Sequence, residues 1–428
     1  MFERIKSIIL ALLVVFSVYL SFLLAGHVPP RTVETPPSVG GSYWGSGRST
    51  LALLAPARLV LHSSERTSIV IYPGRPQFTR LWNQAVDVLQ QLVVEELSRQ
   101  PSSLSEWEAA SDKEALELIF FFPLESEIWG PVLEYPVDLN LPWPTKRMLL
   151  VPGSKPEIYL ASQGGEVIKY NLHSTELTAL TLEDEPATLC RELEAPLEVS
   201  QTVYVPAEPL SLPVLRMSGE VVDQEIVAGS FFADLSLTRR IRERDGATIY
   251  SDGRRGVRVW ADGSVEYNAP GVESGVGLPP AQALDRAVRF ITQHGGWPPE
   301  VRLPRLTTVS PLPGEKRYLI SFNQFWNGLP LAEPTLHVEL SDRGVAKYQR
   351  SVLYSVGNAG WLEASSEGLE EKIRRANKLE KGDKIADVYL TYRKNSSIDE
   401  EVLLVPVWAV ETAAGRVFWL EASGGEQG

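Results

Sequence analysis

Seven arginines, Arg239, Arg240, Arg242, Arg244, Arg254, Arg255 and Arg258, fall within twenty residues of a chain whose formal net charge is −13. A guanidinium grips carboxylates or phosphates through paired hydrogen bonds, so anion recognition is the chemistry such a cluster can do. The favoured reading is a solvated helix end and hairpin whose cations pair with the acids between them. The other is a surface that meets anionic lipid headgroups or an acidic partner domain. Catalytic templates fit poorly. His27, His62, His173, His294 and His337 show no H-E-x-x-H or comparable metal spacing. There is no G-x-S-x-G elbow, no Ser-x-x-Lys and no G-x-x-x-x-G-K phosphate loop. Cys190 is the only cysteine, which excludes an internal disulfide and a multi-cysteine metal site. It reads as a small buried apolar residue rather than a nucleophile. Glu183, Asp184 and Glu185 read as a solvated acidic run. No catalytic, cofactor-binding or metal-ligating residue is expected, and the acidic balance disfavours nucleic acid as a partner.

The elements that must position these residues belong to an α+β chain: one N-terminal transmembrane helix, then extracellular domains built of helix plus antiparallel sheet. From Ile8 to Gly26 nineteen residues carry no charge, a span of about 28 Å as a helix against a bilayer core of ~30 Å. Arg4 and Lys6 precede it, which places the N-terminus in the cytoplasm and the bulk outside. Leu23 or Leu24 would stand at −3 of a signal cleavage site, a poor fit, so the helix is expected to remain as an anchor. Ser17 and Ser21, extended by Ala11 and Ala25, give it a small-residue face suited to packing on partner helices.

The expected divisions are a cytoplasmic tip and membrane helix at 1–26, a Pro/Gly/Ser-rich stalk at 27–56, an α+β domain at 57–200, a helix-plus-meander domain at 201–275 and an α+β domain at 276–428. In the first domain, helix is expected over Phe78–Leu97, with strands at Arg58–Tyr72, Ala115–Phe122, Lys146–Val151, Glu157–Leu160 and Glu166–Asn171. In the second, Ile226–Arg240 reads as helix. The pairs Asp245-Gly246, Asp252-Gly253 and Asp262-Gly263 then read as hairpin turns rather than calcium ligands. In the third, Pro280–His294 and Gly368–Asn377 read as helices among antiparallel strands. Phe322, Phe325, Trp326, Trp408, Phe418 and Trp419 are expected mostly in the core. Each unit is expected to cover one sheet face with helix and leave the other free.

The segments Gly229–Pro270 (GSFFADLSLTRRIRERDGATIYSDGRRGVRVWADGSVEYNAP), Ile320–Leu331 (ISFNQFWNGLPL) and Val402–Glu411 (VLLVPVWAVE) resemble the YycH family, and the last two also its YycI relatives. That resemblance implies a non-catalytic, membrane-anchored extracellular regulator that binds a WalK/YycG-like sensor histidine kinase together with a YycI-like companion. The kinase belongs to an essential, cell-wall-related two-component system of Gram-positive bacteria. Competing expectations are an anchored cell-envelope enzyme or binding module with an unrecognised carboxylate site, or an inhibitor or chaperone of an exported protease.

Overall fold

The computed structural model describes residues 49–65, 67–94, 99–133, 141–172, 188–194, 197–272, 277–298, 300–309, 316–398 and 401–423, together with Lys6. The expected membrane helix Ile8–Gly26, with Ala11, Ser17, Ser21 and Ala25, lies outside the described residues. Among the described residues no helix is long and apolar enough to cross a membrane.

The fold is a sheet-rich α+β arrangement of antiparallel sheets with few helices. The first sheet holds β1 (Arg58–His62), β2 (Ser68–Ile71), β3 (Gln100–Ser102), β4 (Ala115–Leu124), β5 (Thr145–Val151), β6 (Glu157–Ala161), β7 (Val167–Asn171), β8 (Thr188–Glu192) and β9 (Tyr204–Pro206). Their spatial order is β3-β7-β6-β5-β4-β1-β2-β8-β9. Helix α1 (Thr50–Leu53) precedes them, and α2 (Pro76–Val94) buries Phe78, Leu81, Ala85, Val88 and Leu89 in the core shared with this sheet. Proline suits the first turn of α2, where its missing N–H costs nothing. Helix α3 (Leu104–Ser111) was not expected, yet its sequence carries a start signal. Ser103 Oγ accepts from the Glu106 N–H and Glu106 Oε2 accepts from the Ser103 N–H, a reciprocal capping box. A short α4 (Trp129–Leu133) completes this part.

Strand β10 (Leu210–Ser218) leaves for a third sheet. After α5 (Gln224–Gly229), the chain builds β11 (Arg239–Arg242), β12 (Thr248–Ser251), β13 (Gly256–Val259) and β14 (Val265–Asn268) as the expected meander. Gly246, Gly253 and Gly263 take φ of 85°, 84° and 79° at its turns, values a side chain rarely tolerates. Helix does not continue from Ile226 to Arg240 as expected. It stops at Gly229, a 3-10 turn recapped by Asp234 follows, and Arg239–Arg242 is strand. Pairing of this segment with β12 overrides its helical spacing.

The same sheet continues through β15 (Val301–Val309), β16 (Arg317–Trp326), β17 (Leu329–Pro330), β18 (Leu336–Ser341) and β19 (Gly344–Arg350). The order is β11-β12-β13-β14-β19-β18-β16-β15, with β17 on β16. Residue 275 therefore falls between strands that share one sheet, because β14 pairs with β19. Helix α6 (Pro280–Gln293) covers one face with Ala283, Leu284, Ala287 and Ile291, all fully buried. The opposite face carries Glu266, Glu339, Lys347 and Gln349, as a solvated face should.

The third sheet combines β10 with β20 (Tyr354–Ala364), β21 (Ile385–Ile398), β22 (Glu401–Thr412) and β23 (Val417–Glu421), ordered β20-β10-β22-β21 with β23 on β22. Helix α7 (Leu369–Arg375) buries Leu369 and Ile373 against it, beside Trp408. Phe322, Phe325, Trp408 and Phe418 are buried, as expected of core aromatics. The first sheet does not leave its second face free. Strands β4 and β5 are buried along nearly their whole length, and part of the face away from α2 is covered by the third sheet.

Candidate functional site

That covered face is where the unexpected chemistry lies. In β1 the alternation of strand side chains sends Leu59 and Leu61 into the helix-side core and Arg58, Val60 and His62 to the other face. In β4 it sends Leu116, Leu118 and Phe120 one way and Glu117, Ile119 and Phe121 the other. Ile119 lies opposite both Arg58 and Arg147 in the ladder, so Glu117 sits diagonally between His62 and Arg147. From the third sheet come Asp387 on β21 and Glu411 on β22, which are direct cross-strand partners. Two like charges facing each other across a ladder repel. Cations from the first sheet compensate them.

Arg58 forks onto Asp387, with Nη1 donating to Oδ2 at 2.9 Å and Nη2 to Oδ1. Lys146 Nζ donates to Glu411 Oε2 at 2.9 Å and to the Phe121 carbonyl at 2.7 Å. Arg147 donates to Glu117 Oε1 at 3.1 Å and to the carbonyls of Thr202 and Ala386 at 2.6 and 2.9 Å. His62 Nε2–H donates to Glu117 Oε2 at 3.2 Å, and its Nδ1 shares a hydrogen bond with Ser68 Oγ at 2.9 Å. Apart from half-buried Ser68, every one of these side chains is buried. Three cations, Arg58, Lys146 and Arg147, meet three carboxylates, Asp387, Glu411 and Glu117, so these charges balance.

The electrostatics follow from burial and pairing. Burial alone pushes the Asp387 carboxyl up, but the charge and hydrogen bonds of Arg58, with Arg147 and Lys146 behind, outweigh it and hold Asp387 down at about 2. Burial pushes the Tyr72, Tyr204 and Tyr389 phenols well up. The Cys190 thiol, next to this face on β8, is pushed by burial up to about 12, so it stays protonated at neutral pH and is a poor nucleophile. Aromatic and backbone contacts extend the seam. Phe121 meets Phe325 and Tyr389 edge-on at 5.2 and 6.3 Å. The Asn327-Gly328 turn has φ of 51° and 78°, and a Cβ at Gly328 would stand 2.6 Å from the Pro73 carbonyl oxygen.

Of the charged and titratable seam residues only His62 was weighed in the sequence, as a histidine without metal spacing; Arg58, Glu117, Lys146, Arg147, Asp387 and Glu411 were not. A signal was there: Glu117 interrupts ALELIFFF, Asp387 interrupts IADVYL and Glu411 follows VPVWAV, each a lone charge inside a run that otherwise reads as buried strand.

The arginine cluster stands at the far side of the molecule's second sheet, where β11 is an edge strand exposed along its length. Three of the seven find acids. Arg240 pairs with Glu225 of α5, Arg255 with Asp252 at 3.2 Å, and Arg258 with Glu243 and Asp245 at 2.5 and 2.8 Å. Each also lies over a ring, of Tyr250, Phe232 and Trp260 respectively. Arg239, Arg242, Arg244 and Arg254 are exposed and have no carboxylate partner among the described residues. His294 closes α6, stacked on Phe231 with centroids 4.5 Å apart, and its Nδ1–H donates to the Ser230 carbonyl at 2.7 Å. Burial pulls its imidazole down to about 4. Among the described residues no cluster of His, Cys, Asp and Glu could hold a metal ion.

These features define a class first: a sheet-rich α+β scaffold with its paired charges buried in a seam between two sheets and a cationic strand at the edge of another. The family description "YycH protein, C-terminal domain" matches residues 200–417, half of the chain. The chain belongs to the YycH family. The crystal structure of YycH from Bacillus subtilis superimposes with a TM-score of 0.65 at 13% identity, covering 89% of this chain and 99% of that one. An uncharacterized protein from Eubacterium rectale gives a TM-score of 0.37 at 10% identity, over 56% of this chain and 87% of its own. The YpeB C-terminal domain from Bacillus megaterium gives 0.32 at 11% identity, over 48% of this chain and 95% of its own. None of the curated proteins matches.

Proposed function

We propose that this YycH-family chain is a membrane-anchored regulator, with its bulk outside the cell, of a WalK/YycG-type sensor histidine kinase, working beside a YycI-like companion. What supports the reading is family membership over residues 200–417. Regulation of this kind needs a surface that contacts one conformation of the kinase better than another; the difference in contact free energy shifts the kinase equilibrium. Ala11, Ser17, Ser21 and Ala25 would provide the helix contact and the folded part the outer one. The competing carboxylate enzyme needs a carboxyl whose proton affinity is raised, so that it can act as an acid near neutral pH. Asp387 is shifted the opposite way and Glu411 is held by Lys146, so the seam favours a structural role for both.

Full-length chain and kinase reconstituted together in nanodiscs test the proposal. Kinase autophosphorylation should change when the chain is added, and the two should co-purify; an unchanged rate with no co-purification overturns it. Ser17→Leu with Ser21→Leu should weaken co-purification, and unaltered recovery removes the membrane-helix face from the account.

A further inference from the structure

Among the described residues strand β11 has one partner, β12, which leaves its other long side unpaired by them. Which backbone groups point there follows from the ladder. The Glu243 N–H donates to the Ala247 carbonyl at 2.8 Å at the end of this hairpin. Hydrogen-bonded pairs alternate in an antiparallel ladder, so Ile241 and Arg239 also turn their N–H and C=O toward β12. The N–H and C=O of Arg240 and Arg242 therefore point outward. Side chains alternate too: Arg240 and Arg242 lie on the α5 side with Tyr250, and Arg239 and Ile241 on the other face with Ile249.

The guanidiniums without carboxylate partners bracket this rail. Arg239 faces Ser251, next to the turn that carries Arg254, whereas Arg242 and Arg244 stand at the opposite end. Charged residues on an edge are a common protection against unwanted pairing. Protection alone does not account for the apolar residues beside them. Leu237, two residues before β11, is 78% exposed, and Ile241 within it is 42% exposed. A second copy of the chain is a poor occupant, since antiparallel pairing of β11 with itself would set Arg239 against Arg242.

We propose that β11 is a strand-addition site for an extended, acidic segment of a protein partner. The incoming strand pairs with the outward N–H and C=O of Arg240 and Arg242, places carboxylates beside Arg240 and Arg242 on one face, and lays apolar residues by Ile241 on the other. Its sequence signature is alternation of acidic and apolar residues. The site stands whether or not that partner is the kinase.

The test uses the full-length chain in phosphatidylcholine nanodiscs and a fluorescein-labelled eight-residue peptide of alternating Glu and Val, read by anisotropy. A second peptide has the same sequence with alternate amides N-methylated, which keeps its charge and removes the donors a ladder requires. The parent peptide should bind saturably and the methylated one at least tenfold more weakly. Arg240→Glu with Arg242→Glu should weaken the parent peptide at least tenfold, whereas Arg289→Glu on exposed α6 should leave it unchanged. Equal binding of the two peptides reduces the site to charge attraction and overturns strand addition, even if the double variant fails to fold. The proposal is also overturned by a folded double variant that binds normally, or by no saturable binding of the parent peptide. Arginine-dependent binding to phosphatidylglycerol vesicles without peptide binding would instead assign the patch to a lipid surface.

Discussion

The seam between the first and third sheets and the β11 edge use the same side chains to opposite ends. In the seam, Arg58 and Arg147 are 3% and 1% exposed and every guanidinium faces a carboxylate or carbonyl fixed by a strand. At the edge, Arg240 and its partner Glu225 are 40% and 55% exposed, and water competes for both. A buried ion pair gives little net stability when formed, but breaking it leaves a charge without water or counterion. An exposed pair can be broken with little loss, because solvent replaces the partner. Charge therefore locks the two sheets together in one region and remains available for recognition in the other.

The sharpest way to break this contrast is Asp387→Ala, which leaves Arg58 buried without its counterion and should cost about 3–5 kcal/mol in urea denaturation. Arg58→Met combined with Asp387→Leu should be milder than the single change, and a result at least as severe would show that packing rather than charge holds the seam. Next in size is a pH effect that separates buried charge with a partner from buried charge without one. His294 sits at about 4 in the fold against 6.5 for a free imidazole. Its depressed value means that the unfolded chain takes up the proton first. Stability is complete above about pH 6.5 and is lost as pH falls toward 4, by about 3 kcal/mol. His294→Phe should flatten that slope. Asp387, at about 2 against 3.8, keeps its contribution until pH drops below about 4 and loses about 2 kcal/mol by pH 2. Urea titrations at stepped pH read both windows.

A smaller effect is expected where the third sheet's neighbour turn seats on the first sheet. Gly328→Ala adds a methyl against Pro73 at positive φ and should destabilise by about 1–3 kcal/mol, read as a lower Tm. The smallest effect is Arg240→Ala, under about 1 kcal/mol, since Glu225 is solvated either way. A loss as large as that of Asp387→Ala would erase the distinction between the two regions.

Local rules carried much of the architecture. The Asp-Gly pairs marked the meander turns, the apolar spacing of Pro280–His294 gave α6 to within a residue, and the strand run Glu157–Leu160 stands to within a residue. Those features depend on residues a few positions apart, where backbone sterics and periodicity act. The arginine cluster was legible for the same reason, since its members are close in the chain. Its strand conformation was not, because Arg239–Arg242 becomes strand only by pairing with β12. The seam lay furthest out of reach. Arg58 and Asp387 are 329 positions apart, and Lys146 and Glu411 are 265. A lone charge in an apolar run signals that a partner is required, but which charge meets it depends on how the first sheet lies on the third. Sequence determined the elements and their turns through local interactions; tertiary structure alone decided which charges would be buried together and which left on an open edge.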